Sequence, residues 1–165
     1  MAEEYIGARL ERIEYKEFAI TDDLWPVHIY EAQIGQAIHN LAINAIVAMP
    51  KGGTLKVNAE NVKVDEKNIQ FLKKGRYVKI SIKDEGVGIP EEHQEKVFDP
   101  YFSTKEMGMQ KGTGLGLSIC HSIIKKHKGH ITVESEVGVG TTFHIFLPAS
   151  DPIGTFDRGD QVRKR

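Results

Sequence analysis

Lys111-Gly112-Thr113-Gly114-Leu115-Gly116-Leu117-Ser118-Ile119 sets three glycines at alternate positions directly before an apolar-periodic run that ends near His127. Glycine lets the backbone take positive φ and lets a ligand approach the main chain. A helix opening there directs unpaired N–H groups and the positive end of its dipole forward, an arrangement that favours phosphate. The spacing is neither the dinucleotide G-x-G-x-x-G nor a P-loop with its closing Lys-Ser/Thr. Glycine-rich turns also precede helices that bind nothing, so a phosphate site here depends on what the other segments bring to this turn.

A chain of 165 residues is long enough for one domain with its own core. Hydrophobic content of 40% and charged content of 27% place it among ordinary globular proteins. Twenty-two basic residues against 23 acidic ones leave a net charge of −1, which gives no electrostatic reason to expect nucleic acid or a membrane surface as partner. No apolar run approaches the roughly 20 residues needed to span a bilayer. Met1-Ala2-Glu3-Glu4 is not a signal peptide, so a cytoplasmic setting is expected. The single cysteine, Cys120, rules out an internal disulfide and any cysteine-rich metal site.

Residues 1–14 carry mixed charge, and no role is assigned to them. Two short strands, Glu17–Thr21 and Leu24–Tyr30, are expected around a turn at Asp22-Asp23. Ile34, Ile38, Leu41, Ala45 and Met49 recur at helical spacing, which predicts a helix over Glu31–Met49 stopped by Pro50 and Gly52-Gly53. Asn40 and Asn44 lie one turn apart on this apolar helix. Buried amides bonded to neighbouring backbone are one reading; a carboxamide oxygen offered to Mg²⁺ is the other.

Thr54–Glu60 and Tyr77–Ile82 alternate like strands, with Asn61–Arg76 between them as a polar surface connection. The second strand runs into Asp84-Glu85-Gly86-Val87-Gly88-Ile89-Pro90. A carboxylate at a strand end followed by Gly-x-Gly lets a flat ring slide against bare backbone while the acid accepts a hydrogen bond. A turn closed by Pro90 is the alternative. A short helix is expected over Glu91–Val97, and Phe98-Asp99-Pro100-Tyr101-Phe102 forms a compact aromatic latch. The loop Ser103–Lys111 reads as a lid over phosphates, with Lys105 and Lys111 as the candidate contacts; lysines that are simply solvated are the alternative. A helix over Gly114–His127 and a hairpin of Ile131–Ser135 with Thr141–Leu147 follow, and the pattern collapses after Pro148 into a linker or tail.

Together these segments resemble the ATP-binding catalytic domain of sensor histidine kinases in the GHKL ATPase superfamily. Asn40-Leu41-Ala42-Ile43-Asn44-Ala45 resembles the asparagine box, and Asp84-Glu85-Gly86-Val87-Gly88-Ile89-Pro90 the first glycine box. Phe98-Asp99-Pro100-Tyr101-Phe102 is similar to the phenylalanine box. Gly112-Thr113-Gly114-Leu115-Gly116-Leu117 is similar to the second glycine box, and Gly138-Val139-Gly140-Thr141-Thr142-Phe143 to the closing strand.

The resemblance implies an α+β fold, the two-layer α/β sandwich of Bergerat type. A mixed sheet carries three main helices on one face, spanning residues 15–148, with 149–165 as the tail. It implies ATP and Mg²⁺ as cofactors. Asp84 would read the adenine amine, with Gly86 and Gly88 allowing close approach and Thr141 helping through water. Asn44 would ligate Mg²⁺, with Asn40 beside the triphosphate. Lys105, Lys111, Gly112, Thr113, Gly114, Leu115, Gly116 and Leu117 would form the phosphate-facing lid and its hinge. The hydrolysing relatives, gyrase B and MutL, carry a glutamate where this chain has Asn40, and an amide cannot take a proton from water.

The acceptor in the family is a histidine on a separate dimerisation domain, with a response regulator receiver domain downstream. None of the seven histidines here lies in an acceptor-type helix, so the chain is expected to bind Mg-ATP without phosphorylating itself.

Overall fold

The apolar spacing after Glu31 folds as a single 18-residue helix, α1 (Glu31–Ala48), with Ile34, Ala37, Leu41, Ala45 and Ile46 buried along one stripe. It stops at Met49, whose amide bonds back to the Ile46 carbonyl. Gly52 and Gly53 beyond it take positive φ. This is a computed structural model, and it describes residues 15–65, 71–102 and 115–151. The expected lid Ser103–Lys111, with Gly112, Thr113 and Gly114, therefore lies outside the described residues, as do residues 1–14 and 152–165.

Strands β1 (Tyr15–Ile20), β2 (Thr54–Val64), β3 (Gly75–Asp84), β4 (His130–Glu136) and β5 (Gly140–Pro148) make one five-stranded sheet in the order β1-β2-β3-β5-β4. The β1–β2 pair is parallel and the other three are antiparallel, so the sheet is mixed. Two more helices follow: the short α2 (Glu91–Gln94), behind Pro90, and α3 (Gly116–Lys126). Residues from α1 and α3 pack on Leu55, Ile82, Ile131, Phe143, Ile145 and Leu147, which all point to one face of the sheet, and Ile89 and Phe98 close the same core around α2. The α+β sandwich expected from the resemblance is the fold observed.

Cys120 is completely buried in this core, and burial pushes its thiol up to about 12. The other face of the sheet is mostly polar, apart from a small apolar cluster of Val62, Val64, Tyr77 and Phe146. Glu17 pairs with Lys56 at 3.0 Å and Glu60 with Lys79 at 3.9 Å across neighbouring strands, while Glu134 lies 3.6 Å from His144, whose burial, with Lys79 nearby, favours the neutral imidazole. Pairs this exposed contribute about 0–1 kcal/mol each, so the helix-covered face carries the stability.

Two expectations need correction. Leu24–Tyr30 is not a strand; Val27 makes one isolated bridge to Ala149. Pro26 has no N–H to give to a ladder, and the polar groups around it are held individually. Trp25 N–H donates to Asn61 Oδ1 at 2.8 Å, the Ser150 amide donates to the Pro26 carbonyl at 2.8 Å, and the Arg76 guanidinium sits 4.1 Å from the Trp25 ring centroid. The polar connection Asn61–Arg76 is also shorter than expected. β2 continues to Val64 because Val62 and Val64 pack with Tyr77 and Phe146 in a second small cluster.

α3 ends in a Schellman arrangement. The Gly129 amide bonds to the Ile124 carbonyl and the Lys128 amide to the Lys125 carbonyl. The left-handed position belongs to Lys128 (φ 57), not to the neighbouring Gly129. Gly129 is required for a different reason: a β-carbon there would lie 2.6 Å from the Phe146 carbonyl oxygen. A left-handed L-residue costs about 1–2 kcal/mol, and glycine's extra freedom in the unfolded chain returns about 0.4–1 of that. Lys128→Gly is therefore expected to raise stability by about 0.5–1 kcal/mol, read as a higher urea midpoint at unchanged m-value. Gly129→Ala should lower the midpoint.

Candidate functional site

Asn40, Asn44 and Ala48 follow one another at four-residue spacing and form a line about 12 Å long on α1. One end of that line touches the start of α3 and the other the glycine-bearing loop after β3. At one end the Asn40 side-chain amide donates to the carbonyl of Gly116, the first residue of α3, at 3.2 Å. At the other end the Ala48 carbonyl accepts the Val87 amide at 3.0 Å. Asn44 sits half-buried between the two contacts.

Gly86 explains how the second contact is possible. It is buried against the end of α1, and a β-carbon there would fall 2.6 Å from the Ala48 carbonyl oxygen. Gly88 has φ +75, and its missing side chain makes room for the Glu136 carbonyl in the β4–β5 hairpin. The Gly138 amide closes the same junction on the Val87 carbonyl at 2.9 Å. Both glycines of the first box thus admit protein backbone, one from the helix and one from the hairpin.

Asp84 ends β3 opposite Thr141 of β5, and these two are the buried polar residues among the described ones. Asp84 is 3% exposed, and the Gly86 amide donates to its Oδ1 at 2.8 Å. Burial raises the Asp84 carboxyl above its ordinary range, against the downward pull of backbone hydrogen bonds from Gly86 and Thr141. Thr141 Oγ1 lies 2.8 Å from Ser135 Oγ, and Ser135 Oγ accepts the Ile89 amide at 2.7 Å. Gln94 of α2 donates to the Ile89 carbonyl at 3.0 Å and to the Ser135 carbonyl at 2.8 Å.

The structure therefore brings Asp84, Gly86, Gly88 and Thr141 into one bonded junction and sets Asn40 against Gly116. Leu115 precedes α3 as its cap residue, and Leu117 packs on the core. α3 starts at Gly116, two residues later than expected, and Ile119 is more exposed than a packing residue would be. Lys105, Lys111, Gly112, Thr113 and Gly114 lie outside the described residues.

Of the aromatic latch, Phe98 stacks on His121 with ring centroids 5.5 Å apart and meets Phe143 edge-on, whereas Tyr101 is exposed with φ 65. Ser135 and Gln94 were not singled out in the sequence; a lone serine in a strand and a glutamine in a four-residue helix carry no spacing signal. A groove of about 470 Å³ bordered by Gln33, Gln36, Ser118, Ile119 and Lys126 includes none of the expected site residues. The site is identified by its buried carboxylate and amides rather than by cavity size.

Residues 29–151 match the family described as histidine kinase-, DNA gyrase B-, and HSP90-like ATPase. Sensor kinase CckA of Brucella abortus (strain 2308) is 47% identical over 129 residues, which cover 76% of this chain and 13% of that protein. Sporulation kinase E of Bacillus subtilis (strain 168) is 40% identical over 129 residues, 78% of this chain and 15% of that protein. The solved, nucleotide-free catalytic domain of histidine kinase ThkA matches with a TM-score of 0.65 at 33% identity, covering 89% of this chain and 84% of that one. The chain thus spans a small fraction of the two full-length kinases and most of the excised catalytic domain.

Two measurements test the junction. Gly88→Ala is expected to lose at least about 2 kcal/mol of stability, from the left-handed backbone and the displaced hairpin. Gly116→Ala, where an added β-carbon meets nothing within 4 Å, should be neutral or gain up to about 1 kcal/mol of helix propensity. Because the folded carboxyl of Asp84 is raised, its protonation favours the folded state. The contribution is fully present below the unfolded value of 3.8 and is lost as pH rises through the folded value. Urea midpoints of wild type minus Asp84→Asn should therefore be larger near pH 4 than at pH 7.

Proposed function

Because the chain belongs to the histidine kinase-, DNA gyrase B-, and HSP90-like ATPase family, we propose that it is the Mg-ATP-binding catalytic domain of a sensor histidine kinase, passing the γ-phosphoryl of ATP to a histidine on a separate helical dimerisation domain. The observation that carries this reading is the Asp84 carboxylate, buried at the end of β3 with no basic side chain bonded to it among the described residues. An ionised carboxylate accepts up to about four hydrogen bonds, and backbone amides of Gly86 and Thr141 use two. The remaining capacity suits an amine on a flat ring lying over the glycine loop. The relatives are sensor kinases, which favours this acceptor chemistry over the other branches of the family.

Asn44 fits the metal by chemistry. Its carboxamide oxygen is a hard neutral donor, and Mg²⁺ held largely by phosphates and water needs one or two such protein ligands. Among the described residues no group of three or more His, Cys, Asp or Glu side chains is placed to hold a metal of its own. Mg-ATP supplies the phosphoryl group and the charge neutralisation. This chain's part is binding and orientation.

Asp84 fixes the ring and Asn44 the metal-bearing phosphates. The start of α3, with Leu115, Gly116 and Leu117, would meet the anionic chain, and the sequence offers Lys105, Lys111, Gly112, Thr113 and Gly114 as its further contacts. Asn40 carries a neutral carboxamide that cannot act as a base at neutral pH, so water is not activated from that position; one of its two amide protons is given to the Gly116 carbonyl. The γ-phosphoryl is thereby kept for the histidine acceptor, and a response regulator receiver domain follows it. No helix among the described residues is long and apolar enough to cross a membrane. We place the domain in the cytoplasm, with no contact of its own to membrane or nucleic acid.

Labelled ATP and Mg²⁺, added with a separately made acceptor domain, are expected to yield acid-labile, base-stable phosphate on that domain. Free phosphate alone would instead indicate an ATPase, and binding without turnover a nucleotide sensor. In calorimetry, Asp84→Asn should weaken ATP about 10- to 100-fold, the loss of a charge-assisted bond, while the melting temperature changes little. Asn44→Ala should abolish the Mg²⁺ dependence of ATP affinity. Equal ATP affinity in Asp84→Asn and wild type would remove Asp84 from the site.

A further inference from the structure

Glycine loop, α2 and hairpin all converge on Ser135. Its Oγ lies 2.9 Å from the Gly140 carbonyl oxygen, 2.8 Å from Thr141 Oγ1, and accepts the Ile89 amide at 2.7 Å. A carbonyl has no proton to give, so the one proton of Ser135 goes to Gly140. Two lone pairs remain on Ser135 Oγ. The Ile89 N–H takes one and the Thr141 hydroxyl must donate into the other. Every bonding position of Ser135 is then used, and the proton of Thr141 is committed to it.

The arrangement is held firmly. Gln94 spends both of its amide protons on the Ile89 and Ser135 carbonyls, tying α2 to the loop and to β4. Thr141 is 4% exposed and stands directly across the strand pair from Asp84. With its proton turned toward Ser135, Thr141 Oγ1 has only lone pairs left for anything that lies against this wall.

We propose that Ser135 is a specificity-determining positioning residue: by holding the Thr141 proton, it makes the wall formed by Asp84 and Thr141 accept hydrogen bonds only, so that a 6-aminopurine nucleotide is admitted and a 6-oxopurine nucleotide is refused. A ring amine donates directly to such a wall, whereas a ring carbonyl in the same place meets oxygen lone pairs on both sides. Removing the Ser135 hydroxyl releases the Thr141 proton, which can then turn and donate to a ring carbonyl. This inference rests on the assignment of ATP to the Asp84 site.

The test is titration of the 165-residue chain with Mg-ATP and with Mg-GTP, reported as the ratio of the two affinities. Wild type is expected to favour ATP. Ser135→Ala should narrow that preference by about three- to tenfold, the scale of one misdirected hydrogen bond, and Ser135→Thr should restore it. In a Thr141→Val background, Ser135→Ala should leave the ratio unchanged, because no hydroxyl proton remains to be directed.

If Ser135 only braces the loop, Ser135→Ala weakens both nucleotides equally, and that result overturns the proposal while leaving the ATP assignment intact. Where Ser135→Ala does not fold, Ser135→Cys keeps the volume with a poor acceptor and must narrow the ratio in the same sense; an unchanged ratio there overturns it equally. Wild type that folds and binds neither nucleotide overturns the ATP assignment and this inference with it.

Discussion

No β-carbon fits at Gly86, and most of the site follows from that exclusion. The end of α1 comes so close to the loop after β3 that the Ala48 carbonyl takes the Val87 amide, and only bare backbone allows the approach. With α1 anchored there, its asparagines are presented along a fixed line toward the start of α3, where Asn40 meets the Gly116 carbonyl. The hairpin then packs on the far side of the same loop, at Gly88. Three elements distant in sequence are held together through one stretch of main chain, with Asp84 buried at its root.

This geometry separates two jobs that the glycines were expected to share. In the first glycine box, the room left by the absent side chains is occupied by the protein itself, which makes the loop rigid. At Gly116 an added β-carbon would meet nothing within 4 Å among the described residues, and the residue begins a helix. Under the proposed function, a rigid loop beside Asp84 and a helix start free of side-chain bulk at Gly116 would suit a ligand gripped at one end while its anionic tail is delivered elsewhere.

Much of this was readable from residue spacing. The repeat of Ile34, Leu41 and Ala45 described α1 to within a residue of its end, and the alternation in Tyr77–Ile82 and Thr141–Leu147 described the central strands, because one buried face imposes its period on the chain. Asp84 stood out only through the resemblance, because its own pattern reads equally as a turn closed by Pro90.

What failed to show was tertiary. Leu24–Tyr30 has strand-like residues but is held by Asn61, Arg76 and Ser150, partners no local pattern announces. Val62 and Val64 extend β2 because Tyr77 and Phe146 await them across the sheet. Ser135 and Gln94 matter through bonds to chain segments five to 46 residues away, which leave no periodic trace. The left-handed turn fell on Lys128 because close packing against Phe146, not backbone freedom, claimed the glycine beside it.

Cys120 has a practical consequence. It is the chain's sole sulfhydryl, sealed in the core and almost entirely protonated at neutral pH. Maleimides, spin labels and oxidants that require an accessible thiolate find no target in the native protein. A cysteine engineered anywhere on the exterior would therefore be tagged alone, and dyes or paramagnetic probes could follow each segment without first stripping out the native one.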